Sequence, residues 1–364
     1  MQLTRTAWLL EVGLAFLCVT TLTLAAAVLV WHRWSGRRDA RVSRASHLLA
    51  VEFARFLTGR SDAATLQRSA AQAPPVVFWT ALETFAESVA GEEWVRLSGV
   101  LQGLGHVHDE RRRLARGRAW PRALAARHLG LLDDPANREP LRHAMKRGPS
   151  FVTLTAALAL ARMHDHAALV WLLDYPEALA GLSRHQLVAL IKRFGREALP
   201  TIRFGLAAAD FERSSGLAAV DALGLWRDSE SRLPLEELLK TGGLETRIAA
   251  ARALGSIAAP ESADALCESL GDPAWQVRAQ AARALGELGA PATISVLAPC
   301  LRDMSWWVRR NAAYALGTLG IAGRAELDLI AVHSDDVFAR NAANEVLQAL
   351  VWDRESPGGV SRVG

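Results

Sequence analysis

Residues 272–289 read DPAWQVRAQAARALGELG, and the fold follows from how this stretch is built and where it recurs. Val277, Ala281, Leu285 and Leu288 stand at i, i+4, i+8 and i+11, one stripe of an α-helix. The stripe returns one period later as Val308, Ala312, Leu316 and Leu319, and a period after that as Ala339, Ala343, Leu347 and Leu350. Arg247, Arg278, Arg309 and Arg340 keep the same spacing. Upstream the pattern continues through Ala250, Leu254 and Ile257, then Ala219, Leu223 and Trp226, and with small offsets Val152, Ala156, Leu160 and Met163; Ala125, Leu129 and Leu132 are its faintest copy. A fixed period of this length marks one supersecondary unit copied along a stack.

Alanine at the second stripe position and leucine at the third suit helices whose backbones approach closely, a small residue at the crossing and a large one in the gap beside it. Gly224, Gly255, Gly286 and Gly317 recur with the period, pointing to a tight crossing or a helix end. Ile294, Leu297 and Leu301 lie at helical spacing between two stripes, so each unit reads as a helical hairpin. Asp272 with Pro273 predicts a cap and first turn for the helix at Trp275, Ser305 a cap for the next, and Pro291 the start of the intervening helix. The unit near 182–212, with Phe194 and Gly195 out of register, predicts an irregular turn.

Helix formers crowd a chain of 364 residues that is 51% hydrophobic, and Tyr occurs only twice, which predicts an all-α fold with ample core. Cys18, Cys267 and Cys300 are too few and scattered for a disulfide framework or a zinc site, and a reducing compartment fits them. From Val12 to Trp31 no residue is charged; as a helix this stretch would cover roughly 30 Å, the thickness of a bilayer core. Trp8, Trp31 and Trp34 suit the two headgroup belts. Arg33, Arg37, Arg38, Arg41 and Arg44 follow, a membrane-surface set whose positive-inside bias places the repeats in the cytoplasm, the chain crossing the bacterial inner membrane once. A cleaved signal peptide at Ala25, Ala26 and Ala27 is the competing reading.

The stretch at 272–289 resembles the short HEAT-like repeat of bilin-lyase-type bacterial proteins, well over 213–352 and loosely over 120–212. The resemblance implies an α-solenoid of HEAT-like helical hairpins, here preceded by a single transmembrane helix. With the apolar stretch and the composition of the tail, the chain divides into an anchor at 1–44, a helical cap or diverged repeats at 45–119, the solenoid at 120–353 and a tail at 354–364. The resemblance also implies a ladder between neighbouring units in which Asp272, Asp303, Arg278 and Arg309 are structural. The similar deoxyhypusine hydroxylases hold iron with His-Glu pairs, and this sequence contains no such dipeptide.

Read by column, Trp306 shares its position with Leu244, Trp275 and Val337 and is expected to pack, whereas Trp307 stands where Glu245 and Gln276 do, with Phe338 downstream. Trp307, Arg310, Asn311 and Tyr314 lie at i, i+3, i+4 and i+7, on one helix face. Exposed aromatic and arginine residues are the composition of an interface hot spot. With Phe338, Arg278 and Arg283 they form the expected binding face for a protein partner, a capping role at the end of the stack being the alternative. The arginine column, with Arg252, Arg283 and Arg310, reads either as a positive face or as the ladder, and the run Arg111, Arg112, Arg113, Arg116, Arg118, Arg122 and Arg127 as a solvated helix face or a contact with anionic lipid. His106, His108, Asp109 and His164, Asp165, His166 point in different directions on a helix, so no metal site is expected.

The expectation is therefore a membrane-anchored cytoplasmic HEAT-repeat scaffold or adaptor for a protein partner, such as a membrane enzyme complex. It is expected to be no enzyme and to use no cofactor, small molecule or nucleic acid. The alternatives are a bilin-lyase-like or chaperone-like enzyme and a nucleic-acid binder.

Overall fold

The computed structural model describes residue 31 and residues 38–89, 91–208 and 214–355, and these contain helices and turns with no strand among them. The chain divides into two compact units, Met1–Pro140 and Leu141–Gly364. In the first unit, α1 (38–57), α2 (Ala63–Gln72), α3 (Pro75–Ala86), α4 (Glu92–Leu101), α5 (Gly105–Arg116) and α6 (Ala119–Leu129) follow one another, and α7 (Pro135–Arg147) spans the division. Phe53, Phe78, Leu82, Leu97 and Leu101 are wholly buried, with Phe85 edge-on to Phe53 at 5.5 Å between ring centres. Trp94 Nε1 donates to the Leu131 carbonyl at 3.0 Å, so the one polar atom of a buried ring is satisfied.

The second unit continues with α8 (Ser150–Arg162), α9 (His166–Asp174), α10 (Arg184–Lys192), α11 (Leu199–Ala208), α12 (Ser214–Trp226), α13 (Arg232–Thr241) and α14 (Leu244–Ile257). It ends with α15 (Ala263–Glu268), α16 (Trp275–Leu288), α17 (Ile294–Leu297), α18 (Trp306–Thr318), α19 (Gly320–His333) and α20 (Val337–Glu355). The even-numbered helices from α8 to α20 stack in chain order, and the odd-numbered segments carry the chain from each to the next. This is the solenoid-like repeat the period predicts. Val277, Ala281 and Leu285 are fully buried, as are Val308, Ala312 and Leu316, and Val152, Ala156 and Leu160. Ala279, Ala282 and Ala284 are buried too, because α16 is flanked by α14 on one side and α18 on the other. An interior helix therefore has two buried faces, and only small residues let both neighbours come close.

The glycines sit at the tightest points. A Cβ built on Gly224, Gly255 or Gly286 would stand 2.8 Å from the Cα of Ala253, Ala284 or Ala315 respectively, backbone of the next helix in the stack. Of the two roles left open by the sequence, these three positions take the tight crossing.

The second helix of each hairpin is less regular. α15 has 6 residues and α17 only 4, each between 3-10 turns, and Pro299 cannot donate within the segment that follows α17. The capping differs from expectation as well. Asp272 Oδ1 accepts from the Ala274 N–H at 2.8 Å and Asp303 Oδ1 from Ser305 N–H at 2.7 Å, so each aspartate makes an Asx turn two positions ahead. Ser305 itself makes no side-chain cap.

A second period appears in the backbone. His164, Gly195, Arg227, Ala258, Gly289 and Gly320 all have positive φ, between 51° and 80°, and they recur in step with the repeat. Each lies where the chain leaves a long helix, and the Asp165 and Asp228 N–H groups reach back to the Leu160 and Leu223 carbonyls to close two of these ends. The irregular turn expected near Gly195 is thus one of a regular series.

The reading of a single-pass inner-membrane protein is corrected here, and with it the transmembrane part of the expected fold. Among the described residues no helix is long and apolar enough to cross a membrane. The apolar stretch at 12–30 lies outside the described residues, as do Arg33 and Arg37. Arg38, Arg41 and Arg44 belong to α1, a helix that also carries Asp39, Glu52 and Arg55 and packs into the first unit through Leu49 and Phe53.

Two substitutions of opposite sign test the stack. Gly286→Ala forces a Cβ against the α18 backbone and is expected to cost about 1–3 kcal/mol. Ala258→Gly removes a left-handed alanine and is expected to stabilise by roughly 0.5–1 kcal/mol. Urea unfolding followed by circular dichroism reads both.

Candidate functional site

Which polar groups remain free on the second unit depends first on the ladder between repeats. Arg247 donates to Asp272 through Nε at 2.9 Å and Nη2 at 3.2 Å, and Arg278 donates to Asp303 through Nε at 2.7 Å and Nη2 at 2.9 Å. Their Nη1 groups turn back to loop carbonyls, Gly242 for Arg247, and Asp272 and Pro273 for Arg278. The geometry is bidentate and half-buried, so each rung joins one helix to the loop that opens the next. The Asp303 hydrogen bond raises the Arg278 pKa further above its ordinary value. Burial works to raise the Asp303 carboxyl, but the Arg278 hydrogen bond, the Ser305 N–H and the charges of Arg278 and Arg309 outweigh it and hold the pKa below 3.8.

Arginine and aspartate pair in the same way earlier in the chain. Arg142 grips Asp165 at 2.7 Å within the second unit, and within the first Arg111 meets Asp134 and donates to Asn137 at 2.8 Å. Three more arginines of the basic run have internal partners: Arg113 pairs with Glu110 at 2.8 Å, Arg127 with Glu83 at 2.9 Å, and Arg122 donates to the Leu114 carbonyl.

One group of exposed apolar residues lies at the leading ends of the stacked helices. Leu244, Trp275, Trp306 and Val337, each the first residue of its helix, are 38%, 40%, 48% and 53% exposed. Trp306 was expected to pack with this column; the whole column instead faces solvent. The first helical position lies ahead of the first buried one, and the neighbouring helix does not reach it. Trp307 and Phe338 are exposed beside it, and Met304, in the loop before α18, is 98% exposed. The rings of Trp306 and Trp307 meet edge to face at 4.7 Å.

The predicted site residues divide between this edge and the framework. Arg310 lies over Tyr314 at 4.8 Å and over Trp306 at 5.6 Å, and Arg309 over Phe338 at 5.0 Å, cation–π contacts that draw these side chains together. Asn311 donates from Nδ2 to the Ala279 carbonyl at 2.8 Å, a bond between α18 and α16. Arg278 is a ladder residue, and Arg283 pairs with Glu287 along its own helix at 2.9 Å. The sequence reading did not place Met304, Trp306, Trp275 and Leu244 on an exposed edge. A column shows that positions share a chemistry, not how deep they lie.

Several groups of reactive type have partners, while among the described residues His166 Nε2 is buried with no hydrogen-bond partner. His106 contacts the Ala70 carbonyl, His108 the Leu104 carbonyl, His164 the Phe194 carbonyl, and Asp165 is held by Arg142. Among the described residues no group of three or more His, Cys, Asp or Glu could hold a metal ion. Burial pushes the Cys300 thiol up to about 11 and raises Cys267 also, so both are thiols rather than thiolates at neutral pH. A cleft of about 380 Å³ between α10, α12 and α14 contains Asp221 and Arg252, which pair with each other at 3.2 Å.

Residues 205–275 and 265–348 match the family model of HEAT repeats, so the stacked hairpins of this region are HEAT repeats. No curated protein sequence matches the chain. Among solved structures the chain is similar to human deoxyhypusine hydroxylase in complex with glycerol, at 18% identity over 83% of this chain and 97% of that one, TM-score 0.30. It is similar to the CpcE and CpcF complex of phycocyanin lyase from Nostoc, at 20% identity over 67% and 94%, TM-score 0.29. It is also similar to a mutant of Kap121p, at 16% identity over 84% of this chain and 35% of that one, TM-score 0.44.

Replacing Asp303 by Asn should cost on the order of 2 kcal/mol, since it weakens three hydrogen bonds at once, two of them from a guanidinium. Because the folded-state pKa is depressed, the stabilisation is complete above the ordinary carboxylate value of 3.8 and is lost as pH falls through the folded value. The gap in melting temperature between the parent protein and Asp303→Asn should therefore close in acid and stay constant near neutrality.

Proposed function

We propose that this chain is a non-catalytic scaffold whose HEAT repeats hold a protein partner along the leading ends of α14, α16, α18 and α20. The observation that carries the reading is the run of four large apolar residues, Leu244, Trp275, Trp306 and Val337, exposed at the same position of successive repeats. Isolated exposed apolar residues need no explanation, but a row with Met304, Trp307 and Phe338 beside it is the composition of an interface. A buried tryptophan covers about 150–250 Å², so completing the burial of a half-exposed one is worth about 2–3 kcal/mol. The central part of the face is Met304, Trp306, Trp307 and Phe338, with Arg310 and Tyr314 fixing the rings by cation–π contact. Asn311 and Arg278 stay with the framework that holds these helices in register.

Quantitative cross-linking and recovery of partners from cells tests the reading. The double substitution Trp306→Ala and Trp307→Ala should lower recovery at least tenfold; each ring is about half buried, so the melting temperature falls as well, and an unchanged helical circular dichroism signal at the assay temperature shows that the stack is retained. Undiminished recovery of the same partners sinks the assignment of this face.

A further inference from the structure

The ladder has a missing acid. Arg247 pairs with Asp272 and Arg278 with Asp303, the acid standing at the same offset beyond the arginine in both rungs, whereas that offset beyond Arg309 is occupied by Ser334. Arg309 keeps half of the pattern: its Nη1 donates to the carbonyls of Asp303 and Met304 at 2.8 and 3.2 Å, as Arg278 does one unit earlier. The Nε and Nη2 edge that Arg278 gives to a carboxylate has no such partner here, and the guanidinium lies over the Phe338 ring. Ser334 keeps the other half of the aspartate's task, since its Oγ accepts from the Asp336 N–H at 3.3 Å.

Neighbouring charges do not fill the gap. Asp335 pairs with Arg302 at 2.7 Å. Asp336 caps α20, taking the N–H groups of Phe338 and Ala339 at 2.7 and 3.0 Å; the Ala339 bond, the Phe338 bond and the charges of Arg302 and Arg309 hold its carboxyl below the ordinary value against burial. Among the described residues none of Arg309, Arg310 and Arg340 forms an ion pair: Arg310 rests on aromatic rings and Arg340 donates to the Ser334 carbonyl. Arg309 lies against the exposed Phe338 and Arg310 against the exposed Trp306. Ser334 also lines an open groove of about 810 Å³ whose walls include Ile294, Ala298, Pro299, Leu329 and Ile330.

We infer that the partner presents an acidic peptide segment in which a carboxylate, completing the rung at Arg309, sits next to a large apolar residue received by the Trp306–Trp307–Phe338 cluster or the groove. The inference rests on the scaffold reading and deepens it by naming the chemistry of the segment. Bidentate pairing of guanidinium with carboxylate supplies the direction of approach, and the apolar anchor supplies contact area. Arg309, Arg310 and Arg340 form no ion pair among the described residues, and arginines without one favour an acidic segment over a neutral or basic one before contact is made.

The test uses the full chain and a library of random dodecapeptides, with the affinities of synthesised winners measured by the change in tryptophan fluorescence. Enriched peptides should carry Asp or Glu close to Trp, Phe or Leu, and replacing those acids by Asn or Gln should weaken binding at least tenfold. Ser334→Asp is the discriminating variant. It restores the rung within the chain, so it should raise the melting temperature while weakening the same peptides at least tenfold. Enrichment of neutral or basic peptides, failure to enrich any, or unchanged affinity for Ser334→Asp would overturn the inference. Peptides that lose affinity with Trp307→Ala but not with Ser334→Asp would leave the scaffold standing without its acidic partner; peptides indifferent to Trp306→Ala, Trp307→Ala and Ser334→Asp alike would remove the face itself.

Discussion

The second unit depends on how closely one helix lies against the next. At Gly224, Gly255 and Gly286 the next backbone is so near that a single added carbon would meet an alanine Cα at 2.8 Å. That approach explains the alanine content of the stripes, since residues such as Ala279, Ala282 and Ala284 are buried on the flanks of a helix that has neighbours on both sides. It also restricts where function can reside. A helix packed on two faces gives up most of its surface to its neighbours, and its ends are where large side chains can vary without disturbing the stack. Leu244, Trp275, Trp306 and Val337 occupy such ends.

The period and the buried seam were legible in the sequence because the same contacts recur in every unit, and a recurring contact leaves a recurring residue type. Helical spacing alone places Val277, Ala281 and Leu285 inside, where they are found. The left-handed helix ends were not legible. Three of the six are glycines, but Arg227 and Ala258 have no intrinsic preference for positive φ, and the packing of the hairpin imposes it on them. The pairing of Arg111 with Asp134 and of Arg142 with Asp165 was hidden for another reason. Charge that is dense along the sequence draws attention to itself, while the acid that answers each of these arginines lies beyond an intervening helix.

The candidate face was legible in part, and the limit is again physical. Column chemistry singled out Trp307 and Phe338 because their equivalents at 245 and 276 are polar. It misassigned Trp306 because an apolar column is equally consistent with a buried contact and with a ridge kept apolar for a partner. Only depth separates the two, and depth at a helix end is set by how far the neighbouring loop reaches. Asn311 shows the converse: a polar residue on the aromatic face of its helix, bonded to the backbone of the preceding helix.

Arg309 brings the framework and the face together in one side chain. One nitrogen of its guanidinium holds the loop at Asp303 and Met304, a task that Arg247, Arg278 and Arg340 perform on their own loops. The opposite edge, which in the previous rung closes on a carboxylate, is left to an aromatic ring. A guanidinium is planar with donors on separate edges, so it can serve the two directions independently. Exchanging the ladder aspartate for Ser334 therefore frees a charged fork without loosening the loop, because the serine hydroxyl still accepts the N–H two positions ahead. Omitting one acid, rather than adding a base, leaves a guanidinium edge without a carboxylate on a rigid element, with the Phe338 ring against it.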